Sequence, residues 1–193
     1  MSWRYDVANL LGPPGGFGRV YAGDGNGTEV AVKVVDLAGS PASRRDALLR
    51  EVDIAQKLRA TAPCNHLLPA LDHAVVGDSL LIVMDRASDS LADLVGTLSE
   101  PDALVALRNI ASGLSELHGA GVLHRHLKPG NVLFHDGVWK LADFGISRDV
   151  DTSTGTVTWA GSGTLRYMAP ELFDPPWAVT VKSDLYADGM SCV

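Results

Sequence analysis

The sequence predicts an α+β protein of two unlike parts, and three features carry that prediction. Short β-type runs separated by glycine-rich turns fill the first part of the chain. Apolar residues at helical spacing dominate the stretch that follows. A compact hairpin signal, His135-Asp136-Gly137 between two short apolar runs, comes after that helical stretch. The strand-rich and helix-rich parts are expected to form two lobes, 1–87 and 88–193, that meet near residues 84–90.

Each element has a local reason. Residues 12–18 (GPPGGFG) and 23–27 (GDGNG) gather turn-forming glycines around β-type runs at 19–22 and 28–36. They read as a glycine-rich loop, a strand, a hairpin and a second strand. Residues 42–60 read as a helix with Leu48, Ala55 and Leu58 on one stripe, and Glu51 falls on the same stripe. A further strand pair is expected over 67–76 and 79–85. Ser99, with Asp102 three residues on, starts a helix in which Leu104, Leu107, Ile110, Leu114 and Leu117 recur at steps of 3, 3, 4 and 3. No repeat or low-complexity tail is visible.

Composition removes several classes of function. With 46% hydrophobic and 20% charged residues, a chain of 193 residues can bury a core, so wholesale disorder is excluded. Sixteen basic against 23 acidic side chains give a net charge of −7, the wrong sign for a protein that neutralises nucleic-acid phosphates. Two cysteines, Cys64 and Cys192, cannot make a disulfide framework and lack zinc spacing, which suits a reducing cytoplasm. No apolar run is long enough for a membrane span, and the opening MSWRYDVANL lacks the pattern of a signal peptide.

Two charges stand in awkward places. Lys33 lies inside the apolar run Val30-Ala31-Val32-Lys33-Val34-Val35, and Glu51 lies on the apolar helix stripe. A lysine there either projects from an edge or sits inside with an anionic partner. Two opposite charges on adjacent elements suggest a pair aimed into the cleft below the glycine-rich loop. The loop is a weaker signal, since glycines that let backbone N–H groups approach a phosphate also serve as plain turns. Counting back from Phe17, Pro13 stands where a first glycine would, Gly15 and Gly18 hold the other two places, and Gly12 serves in a shifted register.

The more specific strings lie further on: His124-Arg125-His126-Leu127-Lys128-Pro129-Gly130-Asn131, then Asp143-Phe144-Gly145, Tyr167-Met168-Ala169-Pro170-Glu171 and Ser183-Asp184-Leu185-Tyr186-Ala187-Asp188-Gly189. In that order they resemble a eukaryotic-type protein serine/threonine kinase domain, from Leu11 to the last residue. The resemblance implies a bilobal protein-kinase-like fold, with a small antiparallel sheet and one helix in the first lobe and an incomplete helical second lobe. It implies ATP and Mg2+ as ligands and a protein substrate or regulatory partner. Lys33 would hold the α- and β-phosphates and pair with Glu51, and Asn131 and Asp143 would hold magnesium. Leu11, Val20, Ala31 and Leu133 would sandwich the adenine beneath the loop of Gly12, Gly15 and Gly18. Met84 matches the gatekeeper, and backbone groups of Asp85 and Ala87 would face the purine edge. Lys128 and Thr164 resemble the serine/threonine branch. Residues 143–171 would be the activation segment, with Arg125 meeting a phosphate on Thr154, Thr156, Thr158, Ser162 or Thr164; a Ser/Thr/Gly-rich stretch is equally a plain loop.

Two departures from the family matter. His126 stands where the family has its catalytic aspartate; imidazole is bulkier and lacks the negative charge, so a large loss of rate is expected. The chain also reaches Val193 within the helix that Asp184 is expected to open. This leaves the expectation that Leu114, Leu117, Leu172 and Leu185 are partly uncovered and favour self-association. Three readings follow: a serine/threonine kinase by descent that binds Mg-ATP with impaired or absent turnover, a non-catalytic pseudokinase scaffold or interaction module, and an active kinase in which His126 or Lys128 replaces the carboxylate.

Overall fold

Alternating side chains decide how the first half folds. In the computed structural model, β1 (Arg4–Leu10), β2 (Arg19–Gly25), β3 (Thr28–Asp36), β4 (Asp72–Val76) and β5 (Ser79–Asp85) form one antiparallel sheet in the order β1-β2-β3-β5-β4. The structure describes residues 3–13, 18–61, 64–144, 150–151, 156–157, 164–173 and 180–191. Gly15, Thr154, Thr158, Ser162 and the side chains of Glu51, Thr156 and Thr164 lie outside the described residues. The β2–β3 turn carries positive φ at Asn26 and Gly27 (56° and 79°), the pairing a two-residue hairpin needs to match strand twist.

Period two splits the sheet into two apolar faces. Ala31, Val35, Leu80, Ile82 and Met84 join Val52 of α1 (Ala42–Thr61) on the inner face. Val30, Val32 and Val83 form the outer face, with Trp3 packed on them. The Trp3 indole also lies on Gly25, where any Cβ would collide with the ring, and its Nε1 donates to Asp72 Oδ2 at 3.0 Å. Trp3 thus ties the β1 end of the sheet to β4.

The second half is helical around one hairpin. After β6 (Asp89–Ser90) and α2 (Leu91–Leu94) comes α3 (Glu100–Gly119), capped by the Ser99 side chain accepting from the Asp102 N–H. The hairpin β7 (Val132–His135) and β8 (Val138–Leu141) turns through Asp136 and Gly137, again both at positive φ. Ile110, Leu114 and Leu117 of α3 pack with Leu141, Trp139 and Phe144, and α4 (Val181–Ser191) adds Ala187 to the same core. Gly113 lets α3 press onto β8, since a Cβ there would sit 2.8 Å from the His66 carbonyl oxygen and 2.9 Å from Leu141.

Four expectations need correction. The sequence reading assigned no strand to Arg4–Leu10, yet β1 forms there with every residue exposed, so no buried stripe betrays it. The strand expected from residue 67 begins only at Asp72; Leu67 instead lies in a bridge to Leu141, made by the His66 carbonyl and the Leu68 N–H, and Pro69, lacking an N–H, separates the two pairings. Leu104 is 58% exposed and Ala106 takes the core position. The expected bare surface is also mostly absent, because Leu114 and Leu117 are enclosed by the core that includes α4, and Leu172 by Met168 and Ala169. Of the four, Leu185 alone is exposed, and α4 opens at Val181 with Asp184 already in its first turn.

Candidate nucleotide site

A cleft of about 440 Å³ opens between the five-stranded sheet and the β7–β8 hairpin. Leu11, Gly12, Gly18 and Val20 line its roof, and Ala31 its wall beside Met84, a neighbour fixed by the β3–β5 register. Asp85 and Ala87 line the connection between the halves, and Leu133 lines the opposite side. Ser88, Asp89, Ser90, Asp93 and Ala142 also line the cleft and were missed by sequence reasoning. Only Ser90 carries a sequence signal, as the cap of α2.

Lys33, His126, Lys128, Asn131 and Asp143 all line the cleft as well. Lys33, 5% exposed, places Nζ 2.6 Å from Asp143 Oδ2. The partner the sequence reading gave Lys33 was Glu51, whose side chain is not described. Burial alone would raise the Asp143 carboxyl, but the Lys33 ammonium and its hydrogen bond hold it below the ordinary carboxylate range. Asp143 Oδ1 is buried with no hydrogen-bond partner among the described residues. An orphaned anionic oxygen of that kind fits a hard cation. Asn131 donates its side-chain N–H to the His126 carbonyl at 2.8 Å, so its amide oxygen is the atom that could serve a cation.

The loop that presents His126 is anchored from below. Asp184, buried on α4, accepts the N–H of His124 at 2.9 Å and of Arg125 at 2.8 Å, and also contacts His118 Nε2 at 2.9 Å. Two successive N–H groups on one carboxylate help hold Arg125 at φ +69°, a conformation that costs a non-glycine residue about 1–3 kcal/mol. His124 is fully buried against the edge of Phe144, and its imidazole pKa is pushed down by burial. His126 is pushed down to about 3, first by burial, then by the positive charge of Lys128. Lys128 is lowered by burial. At neutral pH, His126 is therefore an uncharged imidazole beside two lysines. Arg125 itself is exposed, and the segment expected to face it lies largely outside the described residues.

A small antiparallel sheet with one helix, a helical second part and a cleft between them lined by charged groups is the architecture of a protein kinase. The model of the protein kinase domain family matches residues 5–193, and the chain belongs to that family, as a eukaryotic-type serine/threonine kinase domain. The match begins six residues before Leu11, where sequence reasoning placed the start. Serine/threonine-protein kinase PknH of Mycobacterium tuberculosis is 34% identical over 198 residues, which is 98% of this chain and 30% of the relative. PknD of the same organism is also 34% identical, over 98% of this chain and 28% of the relative. Serine/threonine-protein kinase 36 of Pongo abelii is 32% identical over 89% of this chain and 13% of the relative. The chain thus spans less than a third of the length of these relatives. Among the described residues no helix is long and apolar enough to cross a membrane.

Proposed function

We propose that the chain binds Mg-ATP in this cleft and transfers the γ-phosphoryl group to serine or threonine hydroxyls of a protein substrate, slowly, because His126 replaces the catalytic carboxylate. The observation that carries this reading is the convergence of Lys33, Asn131, Asp143, Lys128 and His126 in one cleft with Leu11, Val20, Ala31 and Leu133. Leu11, Val20, Ala31 and Leu133 enclose the adenine, and backbone groups of Asp85 and Ala87 meet its edge. Lys33 moves from Asp143 to the α- and β-phosphates, with Glu51 as its second anion. Asn131 and Asp143 hold magnesium, which supplies charge neutralisation at the phosphates. Lys128 faces the transferred group. His126 accepts the substrate hydroxyl proton as a neutral base but offers no negative charge to orient it. Arg125 receives a phosphate on Thr154, Thr156, Thr158, Ser162 or Thr164. The lobes divide at 87 and 88, and the setting is cytoplasmic.

Thermal melting with and without Mg-ATP tests the reading. At a hundredfold excess over Kd, binding adds about 2.7 kcal/mol, a rise of about 5–10 °C for a domain of this size. Asp143→Ala should abolish the rise. His126→Asp should increase phosphotransfer to a generic serine/threonine peptide. The second reading, a non-catalytic pseudokinase scaffold, is favoured by His126 itself; a cooperative melt indifferent to Mg-ATP would select it.

A further inference from the structure

We propose that His126 is itself a phosphoryl acceptor, so that a ring nitrogen of His126 takes the γ-phosphoryl group of the bound nucleotide and the chain becomes a phosphohistidine protein. The inference rests on the nucleotide reading above and goes beyond it, because it places the first acceptor inside the site. His126 lines the cleft together with Lys33, Lys128, Asn131 and Asp143. Its backbone is held on both sides: the carbonyl accepts from Asn131 Nδ2 at 2.8 Å and the N–H points to His124 Nδ1 at 3.4 Å. Arg125, one residue earlier, is fixed by Asp184. The ring thus belongs to the cleft wall beside Lys33 and Lys128, on a loop pinned by its backbone.

The chemistry separates imidazole from the carboxylate it replaces. A carboxylate beside a γ-phosphate is repelled by its charge, and its product would be a reactive acyl phosphate. A neutral imidazole is not repelled and is a competent nucleophile at neutral pH. It also reaches further from its own Cα than a carboxylate does. Because it belongs to the chain, it competes with any diffusing hydroxyl at a large advantage in effective concentration.

In the step, the lone pair of the unprotonated ring nitrogen forms a bond to the γ-phosphorus. The bond from that phosphorus to the β–γ bridging oxygen breaks, and its electron pair leaves with ADP. The proton on the other ring nitrogen stays at first, giving a phosphoimidazolium, and is then lost to solvent. Lys33 and Lys128 are the cations placed to offset charge on the moving group. Water later cleaves the N–P bond and returns the imidazole.

The experiment incubates the full chain with Mg-ATP and measures whole-protein mass at mildly alkaline pH, after acid treatment, and after alkali. The expected result is a gain of one phosphoryl group that acid removes and alkali leaves, the behaviour of an N–P bond and the reverse of a serine or threonine ester. Fragmentation under alkaline conditions should place it on His126 rather than on His118, His124 or His135. His126→Ala and His126→Asn should lose this label; if the alanine variant fails to melt cooperatively, the asparagine variant decides. A melting rise in the unchanged protein without an acid-labile phosphate overturns the proposal and spares the nucleotide reading. A label that persists in the asparagine variant also overturns it. Absence of both the rise and the label removes the nucleotide reading and the proposal together.

Discussion

Acidification should cost this protein stability through His126, and replacing that residue with asparagine should remove the cost. An unfolded histidine titrates near 6.5, whereas the folded site holds His126 neutral down to about 3. Between those values the unfolded chain binds a proton that the folded site refuses. The folded pKa lies below the unfolded one, so stability is complete above about 6.5 and falls as pH drops, by about 1.4 kcal/mol per pH unit. From pH 7 to pH 5 the loss from this residue comes to about 2 kcal/mol, which lowers the melting temperature by about 4–8 °C in a domain of this size. His124, lowered by burial too, adds its own loss in both proteins and cancels in the comparison. The assay is a series of melts at pH 7, 6 and 5 without nucleotide or magnesium, for the unchanged protein and His126→Asn. Curves that fall in parallel would refute the reasoning, because they would mean that the His126 imidazole is hydrated and not buried near the charge of Lys128.

Three further perturbations test other parts of the structure. Asp184→Ala strands the N–H groups of His124 and Arg125 and should cost about 2–6 kcal/mol in chemical denaturation; a loss below about 1 kcal/mol would show that the loop does not hang on that carboxylate. Ile110→Ala empties a fully buried position in the main core and should cost about 2–5 kcal/mol, with a lowered denaturant midpoint and an unchanged slope. Gly25→Ala forces a methyl group into the Trp3 ring and should cost about 1–3 kcal/mol, yet add little on top of Trp3→Ala; additive losses would contradict the contact.

The parts of the fold that sequence foretells are those where a local pattern and a buried face agree. The apolar run 30–35 gives β3, Asn26-Gly27 and Asp136-Gly137 give their hairpins, and Ser99 gives the start of α3. β1 escapes because its residues are all exposed and its pairing slips between Tyr5 and Leu10, so no period marks it. Leu104 misleads because it follows the spacing of the stripe, yet the core is reached through Ala106, a smaller residue on a neighbouring position. At the site, the ordered strings around His124, Asn131 and Asp143 name the residues that line the cleft. They do not reveal that Asp143 bonds to Lys33, since that contact joins positions 110 residues apart. The acidic rim of Asp89 and Asp93 is equally silent, because an aspartate near a turn is ordinary.

The tie between Trp3 and Asp72 has a consequence for the order in which the chain assembles. The two residues are 69 positions apart, and the contact spans a sheet whose β1–β2–β3 meander is contiguous in sequence. Those three strands can pair early at small loop-closure cost, but the outer apolar face stays incomplete until α1 has formed and β4 and β5 have arrived. During synthesis the indole can reach Gly25, Val30 and Val32 once the meander pairs, but its Nε1 must wait for Asp72 of β4. The Trp3–Asp72 hydrogen bond is the late reporter: it times the completion of the first lobe and not its nucleation.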